Sequence, residues 1–187
     1  MPAAVDKLLA ALGLLVLSPL ILAAALWIKL DSRGPVLYRQ QRVGAGERPF
    51  EMLKLRTMAQ GSDPVGVGTA VLRDDPRVTR SGRFLRRTSL DELPNLVNVL
   101  RGEMAIVGPR PTLAAHVEHF SIAGHRRFDV LPGITGWAQV QGRAGIPWEE
   151  RVELDAWYAK HRSAWLDLRI LAKTIGLVLT GQGLAPD

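Results

Sequence analysis

The sequence predicts an α/β chain that is mostly helical: an N-terminal membrane helix over residues 1–33, then a small domain over residues 34–187 with one short β-hairpin and amphipathic helices. Three observations carry this reading. Leu8 to Ile28 contains no charged residue, two β-leaning stretches flank a Gly- and Pro-containing loop between residues 36 and 58, and much of the remainder repeats its apolar residues at helical spacing. Composition sets the limits. With 187 residues, 47% of them apolar, the chain has room for one domain plus an anchor and enough apolar side chains for a core, which excludes a mostly disordered protein. The absence of cysteine excludes a disulfide scaffold, a Cys-ligated zinc site and a thiol nucleophile. A net charge of +6, from 24 Lys and Arg against 18 Asp and Glu, points to a partner bearing phosphate or carboxylate groups. Nucleic acid, anionic lipid and nucleotide-like substrates all satisfy it.

The anchor reads LLAALGLLVLSPLILAAALWI between Lys7 and Lys29, and as a helix it is about 30 Å long, close to the hydrocarbon thickness of a bilayer. A cleaved signal peptide would use Ala23 to Ala25 as a processing site, but Lys7 is offset by Asp6 and the start is not basic enough. A buried core helix would need a domain large enough to cover 21 uncharged residues on all sides. Ser18 and Pro19 fall at the centre. Proline lacks an amide hydrogen and clashes with the preceding turn, so a kink is expected, and the Ser18 hydroxyl is placed to replace part of the lost bonding. Physics alone leaves two forms, a bent spanning helix and a re-entrant hairpin with both ends on one face. Lys7 before the segment and Lys29, Arg33, Arg39 and Arg42 after it permit either orientation.

Beyond a turn-rich exit (Asp31, Ser32, Gly34, Pro35), VLYRQQRV and FEMLKLRTM around GAGERP predict the hairpin, with Arg39, Arg42, Lys54 and Arg56 along it. Residues 59–75 read as a loop. Within it Gly66, Val67 and Gly68 form only a partial phosphate-loop pattern and read as an ordinary turn. Leu93, Leu96, Val97 and Leu100 predict a short helix beginning near Asp91. A further helix is expected from Leu113 to His125, then a turn at LPGITGW, then a helix from near Pro147 whose first turns carry Glu149, Glu150 and Glu153. The last segment, Ala164 to Thr180, fits a helix on the membrane surface and equally one packed on the core. His116 and His119, three apart, could share a metal, although packing or exposure is the simpler reading. The five tryptophans, Trp27, Trp137, Trp148, Trp157 and Trp165, read as core by default, with interfacial anchoring as the alternative.

The candidate chemistry is at Asp91 and Glu92, with Arg83, Arg86 and Arg87 upstream. Ser89, Leu90, Asp91, Glu92 fits a capping box, but that register puts Pro94 inside the helix. With Asp91 as the cap, Pro94 falls among the first positions, whose amides are unpaired anyway, and the carboxylates sit at a helix N-terminus. Two adjacent carboxylates offer a hard-oxygen site for magnesium, which shares its shell readily with substrate phosphate, and arginines around them would hold the remaining phosphate charge. A carboxylate there could also attack phosphorus itself.

Six motifs in order along nearly the whole chain carry a resemblance: the membrane segment with Ser18 and Pro19, RQQRVG (Arg39 to Gly44), KLRTM (Lys54 to Met58), LDELPNL (Leu90 to Leu96), GEMAIVGPRP (Gly102 to Pro111) and PGITGWAQVQGR (Pro132 to Arg143). Together they resemble the small monotopic phosphoglycosyl transferases, the bacterial sugar transferase family. The resemblance implies a magnesium-dependent enzyme that moves a sugar 1-phosphate from a UDP-sugar to polyprenol (undecaprenyl) phosphate, releases UMP, and so initiates glycoconjugate assembly. It implies ping-pong kinetics with Asp91 as covalent nucleophile and Glu92 supporting the magnesium-bound diphosphate, both carboxylates being metal-ligand candidates. Lys54, Arg56, Arg86, Arg110, Gln141 and Arg143 become the substrate-binding candidates. Gln141 stands where the family often has asparagine, which bears on donor identity. The family's Ser and Pro break makes the helix re-entrant, with the catalytic domain on the cytoplasmic face of the bacterial inner membrane; no nucleic acid is implied, and a homodimer is allowed. The competing class is a membrane-tethered, non-enzymatic binder of anionic lipid or nucleic acid. Direct hexosyl transfer is a third, distinguished by release of UDP.

Overall fold

The apolar segment forms one helix, α1 (Ala3–Asp31), in a computed structural model that describes residues 1–62, 75–142 and 145–180. Helical backbone runs through Ser18 and Pro19, so the two separate helices of the expected hairpin are not seen. The local chemistry explains the continuity. Pro19 cannot donate to the carbonyl four residues back, that of Leu15, and the Ser18 hydroxyl donates to the same carbonyl at 2.9 Å. Asp6, Ala10, Ala24 and Ile28 are buried along one stripe of α1, while Leu15, Val16, Leu22, Leu26 and Leu30 are exposed on the others. By length and composition α1 could cross a membrane.

Both ends of α1 are fastened to the domain. Asp6 Oδ1 accepts the Ile106 amide at 3.2 Å, and Asp31 Oδ2 accepts the Ser81 amide and hydroxyl, both at 2.8 Å. Between them the small residues let other elements close in: Ala10 packs with Met52, Leu96, Val99 and Met104, and Ala24 and Ile28 pack with Leu55 and Leu85. A third cluster joins Val107, Val130, Val140, Tyr158, Leu166 and Ile170.

The expected hairpin is present as β1 (Leu37–Val43) and β2 (Pro49–Leu55), antiparallel around a short 3₁₀ turn at Ala45–Glu47. Opposed residues share a face, so Tyr38, Gln40 and Arg42 lie on the side that also carries Lys54, Met52 and Phe50. Helix α2 (Arg80–Thr88) is capped by Thr79, whose hydroxyl accepts the Gly82 amide at 3.0 Å. A Cβ at Gly82 would collide with the Thr57 carbonyl, which is why the approach of α2 to the end of the hairpin needs glycine there.

Three expectations need correction. The helix expected near Asp91 starts later. Ser89 adopts a left-handed conformation (φ 56°) that ends α2, Leu90–Glu92 form a 3₁₀ turn, and α3 spans Asn95–Arg101 with Pro94 just ahead of it. Asp91 is therefore in the 3₁₀ turn and does not cap a helix, and Ser89 makes no side-chain cap bond. The helix expected from Leu113 to His125 is reduced to one turn, α4 (Ala114–Val117), followed by a 3₁₀ segment at Gly124–Asp129. There Phe120, His125, Phe128 and Trp148 gather as an aromatic cluster, and this packing overrides local helix propensity. Finally LPGITGW contains a strand, β4 (Gly133–Thr135), paired in parallel with β3 (Ala105–Val107). Side chains at Gly133 and Gly136 would strike the Gly108 backbone, so residues that read as turn punctuation serve close strand packing.

The chain ends in α5 (Trp137–Gln141), α6 (Trp148–His161) and α7 (Ala164–Thr180). Helix α7 packs on the core through Leu166 and Ile170, while Trp165, Leu168, Ile175 and Val178 are exposed. Trp27, Trp157 and Trp165 are exposed rather than core. The Gly66, Val67, Gly68 turn lies outside the described residues.

Candidate active site

Hairpin, 3₁₀ turn and the loop after β3 converge on Glu92. Lys54 on β2 donates to Glu92 Oε1 at 2.9 Å, and Arg110, in the GPRP stretch, donates to the same oxygen at 2.8 Å. Glu92 is thus committed to two cations and takes no part in a capping box. Burial opposes its ionisation, but Arg110 and Lys54 outweigh that and hold its carboxyl far below the usual glutamate range. Arg110 is raised in return, chiefly by Glu92.

Asp91, beside it in the same turn, is buried. Its pKa is pushed above the ordinary aspartate range, by burial first; Lys54 opposes that shift, Glu92 adds to it, and Arg110 and Arg86 also oppose it. These four groups are therefore its electrostatic surroundings. Arg86 is oriented from α2 by its Nε donating to Thr57 Oγ1 at 3.0 Å and by a 3.7 Å contact to the Met58 sulfur. One buried carboxylate, a second already ionised, and three cations make a pocket that favours further negative charge, as a phosphate would bring.

The other candidates are placed differently. Arg56 is buried and donates to the Ser32 carbonyl at 2.9 Å and to that of Arg33, so it fastens the exit of α1 and is not gathered with the carboxylates. Gln141 is exposed at the end of α5 and makes no hydrogen bond to this group. Arg143 lies outside the described residues. His116 packs edge-on against Trp148 with ring centroids 4.9 Å apart, and among the described residues no cluster of three or more metal-ligating side chains includes it or His119.

Sequence reading missed three contributors. Thr57 orients Arg86, and its position inside KLRTM was the available signal. Arg127 and Asp155 form a buried pair at 2.7 Å, and the same Arg127 nitrogen donates to the Arg110 carbonyl at 2.7 Å, fixing the backbone that presents Arg110. Twenty-eight residues separate that pair, so no local pattern could have announced it. Arg42 is the third: it lies near enough to Arg110 and Glu92 for both to act on its charge.

The comparisons with known proteins agree with the motifs. The bacterial sugar transferase family matches residues 1–181. An uncharacterized sugar transferase of Bacillus subtilis is 43% identical, covering 89% of this chain and 81% of its own. The UDP-glucose:undecaprenyl-phosphate glucose-1-phosphate transferase of Caulobacter vibrioides is 47% identical over 94% of this chain and 68% of its own. An enzyme of the same name from Xanthomonas campestris pv. campestris is 46% identical over 93% of this chain, which spans only 38% of that longer protein. With the match running from α1 to the last described helix, this chain belongs to the bacterial sugar transferase family.

Proposed function

We propose that this chain is a phosphoglycosyl transferase that moves a sugar 1-phosphate from a UDP-sugar to polyprenol phosphate through a covalent intermediate on Asp91. The observation that carries the reading is the grouping of Asp91 with Glu92, Lys54, Arg86 and Arg110. It is the arrangement a diphosphate donor needs: a nucleophile at its centre and cations around it. Burial leaves the Asp91 carboxylate poorly hydrated, which favours attack once substrate charge is balanced. Family membership counts against the non-enzymatic binder.

In the first half-reaction an Asp91 carboxylate oxygen attacks the phosphorus that bears the sugar. The bond from that phosphorus to the bridging oxygen breaks, and UMP leaves with the electron pair while Arg86 and Arg110 hold phosphate charge. In the second, a phosphate oxygen of the lipid acceptor attacks the same phosphorus, the acyl-phosphate bond breaks, and Asp91 is regenerated. Lys54 and Arg110 keep Glu92 ionised throughout. The oxygen donors left over are those of Asp91 and the second Glu92 oxygen, a small hard set that fits magnesium completing its shell with water and phosphate rather than an all-protein cage. When bound, the ion would neutralise diphosphate charge.

The fastening of both ends of α1 supports a monotopic placement. Asp6 and Asp31 are about 38 Å apart along a straight helix, yet both bind backbone or hydroxyl groups of the same domain. A helix spanning the bilayer would drag those polar elements into hydrocarbon. With its exposed apolar faces sunk into one leaflet, α1 instead keeps the carboxylate pair at headgroup depth on the cytoplasmic side, where a soluble nucleotide and a lipid phosphate meet.

The test is to incubate the full chain in detergent with a panel of UDP-sugars and undecaprenyl phosphate and measure UMP, with intact-mass analysis after donor alone. A sugar phosphate adduct mapping to Asp91 is expected. Release of UDP would make the chain a hexosyl transferase, and an adduct elsewhere would remove Asp91 from its role.

A further inference from the structure

Arg42 neighbours the Glu92 group but takes no part in the reaction steps above. It lies near the end of β1, half-buried, on the hairpin face that also carries Lys54. Its Nε and one terminal nitrogen donate to Gln40 Oε1 at 3.1 and 2.6 Å, so a neighbour on the same strand splints the guanidinium. Among the described residues the other terminal nitrogen reaches only the Pro111 carbonyl, at 3.4 Å. That long bond is not what holds β1 to the loop, because the Val43 amide already donates to the Thr112 carbonyl at 2.8 Å. Among the described residues no carboxylate lies within ion-pair distance of Arg42; Tyr38 and Glu92 act on its charge, and Glu92 is already bonded to Lys54 and Arg110. Burial first, and then Arg110, lower its pKa to about 10, which leaves it a cation at neutral pH.

A partly desolvated cation next to a second cation, without an acid of its own, is costly to keep. The arrangement becomes favourable when a ligand supplies the anion, and an oriented guanidinium is the side chain suited to two oxygens of one phosphate. We infer that Arg42, splinted by Gln40, joins Arg110 to form a two-arginine phosphate subsite beside Glu92. Its ligand is an anionic phosphate group, either the nucleotide phosphate of the donor or the phosphate of the lipid acceptor. The identification of these two ligands rests on the phosphoryl-transfer reading above; the anion subsite itself does not.

The decisive experiment compares the full-length wild type with Arg42→Gln and Arg42→Lys, titrating each with inorganic pyrophosphate and with UMP and following thermal unfolding of each. Wild type should bind, and Arg42→Gln should bind at least about tenfold more weakly, in line with loss of charge-assisted bonds. Arg42→Lys should recover only part of this, since it keeps the charge and loses the fork. If Arg42→Gln fails to fold, the Lys variant decides, a weakening of threefold or more being the supporting result. Equal binding by wild type and the folded variants, or no anion binding by wild type, overturns the subsite. Steady-state arms then identify the ligand: a rise in KM for UDP-sugar assigns the donor phosphate, and a rise in KM for undecaprenyl phosphate the acceptor. Absence of UMP release from wild type on any donor would refute the proposed reaction, and the pyrophosphate titration would still decide the subsite.

Discussion

Of the arginine-bonded carboxylates among the described residues, Asp155 and Glu92 serve opposite ends. Asp155 and Arg127 form a one-to-one pair with side chains only 5% and 4% exposed. Glu92 shares one oxygen between Lys54 and Arg110, and Arg110 is 48% exposed. The first grouping is closed and balanced, with the spare Arg127 contact going to the Arg110 carbonyl. The second is open to solvent, has more cations than acids, and contains a further acid, Asp91, in an environment that disfavours its charge. Burial of charge does not by itself mark a reactive site; imbalance together with access does. The two are joined through one residue, so the sealed pair acts as the mount for the open one.

Substitution should separate them sharply. Asp91→Asn is expected to lower UMP release by at least about a thousandfold, as loss of a nucleophile does, with a melting temperature unchanged or slightly raised because a desolvated charge is removed. Retained turnover would erase the distinction drawn here. The closed pair should show the reverse. Arg127→Leu leaves Asp155 buried alone and should cost about 3–5 kcal/mol by chemical denaturation, and the double change Arg127→Leu with Asp155→Leu should recover most of it. A double variant no better than the single would mean that the bond to the Arg110 carbonyl, and not charge pairing, is what Arg127 contributes.

Glu92→Gln falls between these. Arg110 reaches water but Lys54 and Glu92 are mostly buried, so losing the acid should cost about 1–3 kcal/mol, less than breaking the closed pair, while UMP release falls about ten- to a hundredfold. A large loss of stability with little loss of rate would place Glu92 with Asp155 as a structural acid.

The same contrast governs what the sequence could tell. The hairpin was legible because its strands and loop are contiguous; Asp91, Glu92, Lys54 and Arg110 were legible because each sits inside a motif, and Arg86 because it lies five residues before Asp91. What escaped depends on contacts between distant segments. Arg127 and Asp155 meet only after the 3₁₀ segment docks on α6, and β3 meets β4 only because glycines permit the approach. Arg56, read as a substrate contact, is used at the exit of α1, since composition cannot say which arginine of a hairpin finds a backbone carbonyl. Asp91 lost its capping role for a backbone reason, the left-handed Ser89, that residue type does not announce.

Acidity offers the mildest test, because the two groupings should respond with opposite sign. Burial pushes the Asp155 carboxyl up to about 6 despite Arg127. Between the ordinary aspartate value and about 6 the native chain holds a proton that the unfolded chain has released, so this group's contribution to stability falls as pH rises through that window and is flat above it. Glu92 is held low by Arg110 and Lys54 against burial, so the native chain releases its proton first; its contribution is present above the usual glutamate value and is lost as pH falls below it. Asp91, raised by burial, adds to the falling limb, so the groups must be separated by difference. Denaturation of wild type and Asp155→Asn from pH 4 to 7 should give a stability difference that changes toward pH 6 and then levels. The corresponding difference for Glu92→Gln should run the other way and be confined to the acid end. Slopes of the same sign for both variants would mean that the open site is sealed from its cations much as Asp155 is sealed from water.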